Sequence, residues 1–355
     1  MRFASTRPIA FACFDAPRTN LPPLAVYGRA MRAGVFIPQG WRLDLIGIPA
    51  DQQWSVMQDV AVAAEVDGFE SVWVYDHFHT VPVATQEPTH EAWTLMGALA
   101  VSTSRVRLGQ MCTCNAYRPP SYLAKVAATV DVLSEGRLEM GIGAGWYEAE
   151  FLAYGYEFPK PSVRIGQLAE AVEIMKRMWT EDEVHFQGEY YTLAGAICQP
   201  KPIQQPHIPF WIAGGGEKLT LRLAAQYASY TNFGDDLEDF QRRSQILADH
   251  CRDVGRDFDE IVRSSNFNIV CAETGAEVKE RLAWLRSHYA QLLPDKQVER
   301  TMRNYADWAG TPDQLIEKLR AWGDAGLGYL ICYVADVAYD RSGLELIGRE
   351  IAPAL

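Results

Sequence analysis

The 355-residue chain has no Cys-x-x-Cys pair, no surplus of basic residues, no internal repeat and no apolar run long enough to cross a bilayer. Each absence removes a class of protein. Its seven cysteines are scattered from Cys13 to Cys332, so no disulfide framework is encoded and reduced thiols in a cytoplasmic protein are expected. A formal net charge of −12 argues against a nucleic-acid partner, because that function needs a basic face for phosphate. The late apolar stretch Tyr329–Val334 falls far short of the roughly 20 residues of a membrane-spanning helix, so no membrane partner is expected. Residues 1–30 contain Arg2, Arg7 and the apolar Ile9–Phe14, which imitate a secretory signal with too short a core. Pro17, Pro22 and Pro23 follow without periodicity. This segment is read as a disordered, dispensable extension before a single folded domain over 31–355.

What the chain does have is alternation. Short apolar strands are predicted at Val35–Pro38, Ser71–Tyr75, Arg105–Cys114, Arg137–Ile142, Pro209–Ala213, Ser229–Phe233, Arg263–Cys271 and Tyr329–Val334. Helical spacing predicts helices between them, among them one capped by Asp51 and running to Val66, then Glu91–Val101, Ser121–Leu133 and Val163–Trp179. Pro312 at the first helical position, between Thr311 and Gln314, marks a further start, and a last helix is read over Gly343–Ile351. A hairpin turning at Gln187–Gly188 interrupts the pattern, and Gly214–Gly216 is read as opening the helix after the fifth strand. Eight strands alternating with helices predict an α/β fold, a single (β/α)8 TIM barrel with insertions, whose site lies at the carboxyl ends of the strands.

The chemistry-bearing residues fall at those ends. Asp76-His77-Phe78-His79 follows the second strand, where a histidine can act as an acid, a base or an orienting donor. A metal site would need further ligands at later strand ends, and the other histidines are not placed to supply them, so no metal is expected. Gly141-x-Gly143-x-Gly145 is not the dinucleotide fingerprint, since its third glycine comes one residue early. Gly214-Gly215-Gly216, between a strand and a helix, suits a phosphate. Cys112 and Cys114 have no evident partner base and are read as small buried residues. Trp41, Trp73, Trp93, Trp146 and Tyr147 could wall a flat heterocycle or fill an ordinary core.

Several motifs in order then resemble the bacterial-luciferase-like oxidoreductases, in particular the branch that uses the deazaflavin coenzyme F-420. They are Val74-Tyr-Asp-His-Phe78, Leu108-Gly-Gln-Met-Cys-Thr113 with Tyr117-Arg-Pro-Pro120, and Gly136-Arg-Leu-Glu-Met-Gly-Ile-Gly-Ala-Gly-Trp146. The hairpin Phe186–Tyr191, the return Gln199-Pro-Lys-Pro202 and Ile212-Ala-Gly-Gly-Gly216 belong to the same set. The resemblance implies that Asp76 and His77 contact the deazaflavin ring, with His77 the catalytic candidate. It implies a non-proline cis peptide at Met111-Cys112, with Thr113 touching the ring. Gly143, Ala144 and Gly145 would form the turn beside the cofactor, and Gly214, Gly215 and Gly216 the cradle for its phosphate. Trp41, Glu91, Trp146 and a lid-like region over 274–308 are expected to shape the substrate pocket. Sugar-phosphate dehydrogenases of this kind place a catalytic glutamate where Trp146 stands, which argues against glucose 6-phosphate. A homodimer through barrel helices is also implied.

The reaction expected is hydride transfer between coenzyme F-420 and a small organic substrate. The alternative keeps the fold but uses reduced flavin mononucleotide, FMNH2, to activate oxygen as monooxygenases do; both cofactors end in a phosphate, so the glycine loop does not separate them. A non-catalytic flavin-binding relative is a third reading, and it needs Trp41 or Trp146 to fill the substrate side.

Overall fold

The computed structural model of the protein describes residues 31–355; the expected extension over 1–30 lies outside the described residues. Eight parallel strands form the barrel: β1 Arg32–Phe36, β2 Ser71–Val74, β3 Arg107–Gln110, β4 Leu138–Gly143, β5 Phe210–Ala213, β6 Tyr230–Asn232, β7 Val262–Cys271 and β8 Tyr329–Val334. Sequence neighbours pair in order, and β8 returns to pair β1, with Ala33 beside Leu330. The closed (β/α)8 barrel expected from the alternation is present. Two-residue strands at Thr113–Cys114 and Ala309–Gly310 add to its rim.

Two apolar cores follow from the period-2 alternation of strand side chains. Leu330, Cys332 and Val334 of β8 face outwards to the helices, as do Val72 and Val74 of β2. Tyr329, Ile331 and Tyr333 face the lumen with Phe36, Trp73 and Tyr75. Because both faces are covered, every residue of β8 is buried, which is why it reads as a continuous apolar run.

The outer layer is α1 Ala50–Val66, α2 Ala92–Ser102, α3 Pro120–Leu133, the short α4 Glu148–Ala153, α5 Pro161–Thr180, α6 Thr220–Tyr227, α7 Leu237–Val254, α8 Gly275–Tyr289, α9 Asp295–Ala306 and α10 Pro312–Asp324. Four expectations need correction. Asp51 lies in the first turn of α1 rather than at its cap, which is Pro49. The helix after β5 begins at Thr220, so Gly214–Gly216 sits in a loop ahead of it rather than at its start. The insertion hairpin, Val184–Gln187 with Thr192–Ala196, reverses over 188–191, because Glu170 of α5 accepts the N–H groups of Glu189, Tyr190 and Tyr191. The last helix spans Ser342–Leu346 and widens into a π-turn over Ile347–Ile351.

The region over 274–308 folds as α8 and α9. Leu285, Tyr289, Val298, Met302 and Tyr305 pack into the lumen core with Phe36, Tyr75 and Tyr333. It is thus a plug over part of the barrel mouth, built from buried aromatic contacts.

Candidate active site

The carboxyl ends of the early strands open on one cavity of about 410 Å³. Trp41 reaches it from the loop after β1, Asp76 and His77 from the end of β2, Met111 and Cys112 from the end of β3. Gly143 to Tyr147 line it after β4, Ala213 and Gly214 after β5, and Asn266 from β7. Sequence-distant groups converge because each short strand ends at the same rim.

His77 is held on three sides. Its Nδ1 lies 2.8 Å from Glu150 Oε2, and its ring stacks on Trp41 at 4.2 Å and 2°. Trp146 and Tyr147 meet it edge-on at 5.9 and 6.1 Å. With Nδ1 committed to Glu150, Nε2 is the nitrogen left for a ligand.

Glu150 is the residue that sequence reasoning missed. It is fully buried, and besides His77 it accepts hydrogen bonds from Tyr117 OH at 2.7 Å, Phe78 N–H at 2.6 Å and His79 N–H at 2.8 Å. Burial opposes ionisation, but the bonds from His77, Tyr117 and Phe78 outweigh it and hold the carboxyl below its usual range. The one signal available was a second carboxylate in Glu148-Ala-Glu150, just past the β4 glycines.

Asp76 is buried, and both its oxygens have protein partners. Arg118 forks onto them at 2.7 and 2.9 Å, and the Cys114 N–H donates at 2.8 Å. The carboxylate therefore ties the segment after β3 to the start of α3 while still lining the cavity. Arg118 also reaches Glu91 at 2.7 Å. Glu91, expected in the substrate pocket, instead caps α2 by accepting from the Trp93 and Thr94 N–H groups and does not line the cavity.

The Met111–Cys112 bond is cis, at the position expected for it. Thr113, expected against the ring, is buried behind this bend and donates to Gln110 Oε1 at 2.8 Å. The Cys112 thiol is pushed up to about 12 by burial and by the Asp76 charge, and Cys114 is raised for the same reasons. Neither is a nucleophile at neutral pH. Two glycines are required by close approach. A Cβ on Gly143 would sit 2.7 Å from Cys112 Sγ, and Gly145, at φ +79°, would place one 2.6 Å from Phe151.

At the other end Gly214 adopts φ +116° and lines the cavity with Thr220. Gly215 and Gly216 lie behind that rim, and a Cβ on Gly215 would fall 1.8 Å from Arg243 Nη1. Arg243 is in turn 3.0 Å from Asp239. Arg164 of α5 also lines the cavity, and its Nε is buried without a hydrogen bond. Glycine backbone, a threonine hydroxyl and two guanidinium groups are a donor set that suits a phosphate. Trp146, 63% exposed, and the partly buried Trp41 both line the cavity. Among the described residues no group of three or more His, Cys, Asp or Glu side chains could hold a metal ion, and no helix is long and apolar enough to cross a membrane.

The sequence model of the family described as luciferase-like monooxygenase matches residues 31–328. The chain belongs to this family. A relative in Nocardia farcinica, named F-420-dependent glucose-6-phosphate dehydrogenase, is 30% identical to this luciferase-like chain over 330 residues, covering 84% of it and 93% of the relative. Among solved structures, an F-420-dependent secondary alcohol dehydrogenase in complex with an F-420–acetone adduct superposes with a TM-score of 0.73 at 22% identity, covering 92% of this chain and 99% of the other. The monooxygenase RslO1 of Streptomyces bottropensis gives 0.75 at 21% identity, with 91% and 99% covered. At such identities the two structures speak for the luciferase-like barrel alone.

Proposed function

We propose that this protein is an oxidoreductase that uses coenzyme F-420 to move a hydride to or from a small organic substrate. The observation that carries the reading is the joining, in one cavity, of a histidine fixed by a buried carboxylate with a glycine loop suited to phosphate. Bound there, a 5-deazaflavin supplies two-electron hydride transfer and reacts poorly with oxygen. Gly214, Thr220 and Arg164 would hold its phosphate end, and Gly143, Gly145 and the cis segment Met111–Cys112 leave room for a flat ring. His77, its Nδ1 fixed by Glu150, presents Nε2 to the substrate oxygen and gives or takes the proton that accompanies the hydride. Trp41 and Trp146 exclude water around it. The F-420-dependent names of relatives 30% identical over most of the chain support the deazaflavin over the flavin.

Those relatives are named for glucose 6-phosphate; for this chain we propose a different substrate, because Trp146 stands where a carboxylate would be needed. We read the protein as cytoplasmic and homodimeric, with exposed Val62, Val66, Val101 and Leu133 on α1–α3 as candidates for the interface. The monooxygenase reading with FMNH2 keeps one supporting observation, the description of the matching family as luciferase-like monooxygenase.

Fluorescence titration of the protein with F-420 and with flavin mononucleotide tests the cofactor. Tight binding of F-420 that Gly215→Asp weakens at least tenfold is expected, since a carboxylate there would strike Arg243 and repel phosphate. Preference for flavin mononucleotide would transfer the protein to the oxygen-using class.

A further inference from the structure

Arg42 is a cation at the barrel mouth that has no ion-pair partner among the described residues. It follows Trp41 in the loop after β1 and is only half-buried. Its guanidinium lies 4.1 Å over the Tyr333 ring of β8, and its Nη1 donates to Asn268 Oδ1 of β7 at 2.6 Å. Asn266, two residues earlier on β7, points to the same side of the strand, roughly 7 Å away, and lines the cavity. Asn266 is itself exposed within the mouth and takes a hydrogen bond from Asn232 at 3.0 Å. Beside Arg42, the Trp41 Nε1 is buried with no hydrogen-bond partner. Arg42 also bonds Tyr75, so the unsatisfied donor is the Trp41 N–H next to it, and such a donor marks a place that a ligand completes.

The strand order locates this place relative to the cofactor. In a ring of eight, β4 stands across from β8. The glycine turns after β4 and β5, with Arg164 and Thr220, form one side of the mouth; Trp41 and Asn266 line the other, and Arg42 stands next to them, against Asn268 and the Tyr333 ring. A cofactor whose phosphate takes the first side leaves the second for the substrate. One guanidinium flanked by carboxamides, with the Asp44 carboxyl two residues on in the same loop, matches a planar monoanion better than a phosphate dianion.

We propose that Arg42, with Asn266 and Asn268, seats a carboxylate carried by the substrate. The substrate class is therefore a small organic acid bearing an oxidisable alcohol or a reducible carbon. This rests on the reading of the cavity as a hydride-transfer site.

The test is isothermal titration of the full chain with benzoate, lactate and pyruvate, each beside its neutral amide, and with phenyl phosphate. At least one acid is expected to bind ten times more tightly than its amide, and Arg42→Met should remove that preference while leaving F-420 affinity within twofold. Arg42→Lys should keep part of it. Should Arg42→Met not fold, Asn268→Leu carries the same expectation, and Asn266→Leu is expected to weaken the acid preference. A panel in which no acid exceeds its amide, or an acid preference untouched by these changes, overturns the proposal; tighter binding of phenyl phosphate than of any acid overturns the carboxylate assignment. Titration of the same samples with F-420 separates the two readings, since failure of the unaltered protein to bind F-420 defeats the cofactor while acid binding still reports on Arg42.

Discussion

The two ends of the barrel are built from the same materials and finished differently. At the amino end, Glu139 is paired with Arg107 and accepts the Trp211 indole N–H at 2.6 Å. Arg32 reaches Glu70 and Tyr230 OH, each at 3.1 Å, and Ser71 Oγ meets Tyr329 OH at 2.8 Å. At the carboxyl end, by contrast, Trp41 Nε1, Gln110 Nε2, Asn115 Oδ1 and Arg164 Nε are buried without partners. Desolvated polar groups cost about 1–3 kcal/mol each when left unpaired. A network complete within the chain serves the fold; one left incomplete is completed by something else. That contrast locates function at the mouth without appeal to any relative.

The largest test of the contrast is at the amino end. Glu139→Ala strands the Arg107 guanidinium beneath the barrel and should cost about 3–5 kcal/mol in urea unfolding, while F-420 affinity of the folded fraction stays unchanged. A loss below 1 kcal/mol would mean that this network is not structural. Its mirror is His77→Ala at the mouth. There the fall should be in turnover with F-420 and a reducible substrate, on the order of 10²–10⁴-fold, with a smaller loss of stability than Glu139→Ala because Phe78, His79 and Tyr117 still satisfy Glu150. Equal losses of stability from the two changes would erase the distinction.

The barrel was legible because its signal is local. Tyr329–Val334 is apolar on both faces and Thr311-Pro312 marks a helix start, and both stand as read. The strand-end residues were legible because topology alone delivers them to the rim. What could not be read is pairing across the chain. Glu150 meets His77 over 73 positions and Arg42 meets Asn268 over 226, and no spacing rule connects them. The packing of the 274–308 region was hidden for a related reason. It was read as lid-like, and Tyr289 and Tyr305 bond to each other at 2.8 Å inside the lumen core, a burial that only the closed barrel creates. Asp51, too, suits a cap by type, yet Pro49 already sets the chain's entry into α1.

Glu150 lets the two roles be separated within the mouth itself. Glu150→Gln keeps the shape but halves the acceptor capacity that Phe78, His79, Tyr117 and His77 share, so a loss of about 1–3 kcal/mol is expected at neutral pH. Because the folded carboxyl is held below its usual range, its share of stability is present above about pH 4.5 and is lost as pH falls through the folded value. The variant should therefore lack that part of the acid-side decline in Tm. Parallel Tm curves from pH 3 to 7 would show that Glu150 is not held as a carboxylate.

The smallest expected effect concerns Asp44, where the mouth departs furthest from the paired logic of the amino end. Asp44 accepts from the Gly40 N–H at 2.6 Å and Tyr333 OH at 3.0 Å; burial nevertheless raises its carboxyl from 3.8 to about 6, against the pull of those two bonds. A raised folded value means the charged form is better tolerated in the unfolded chain. Stability from this group is thus complete below pH 4, declines as pH rises towards 6 and stays reduced above it. Asp44→Asn removes the charge at every pH but can accept through one oxygen only, so a lost hydrogen bond of about 1 kcal/mol offsets part of the gain. Relative to the parent, the variant should be less stable at pH 4 and improve by on the order of 1 kcal/mol by pH 7.5, a change of about 2–4 °C in Tm. A difference that stays constant over that range would show that Asp44 is compensated after all, and would move it from the unfinished end of the barrel to the finished one.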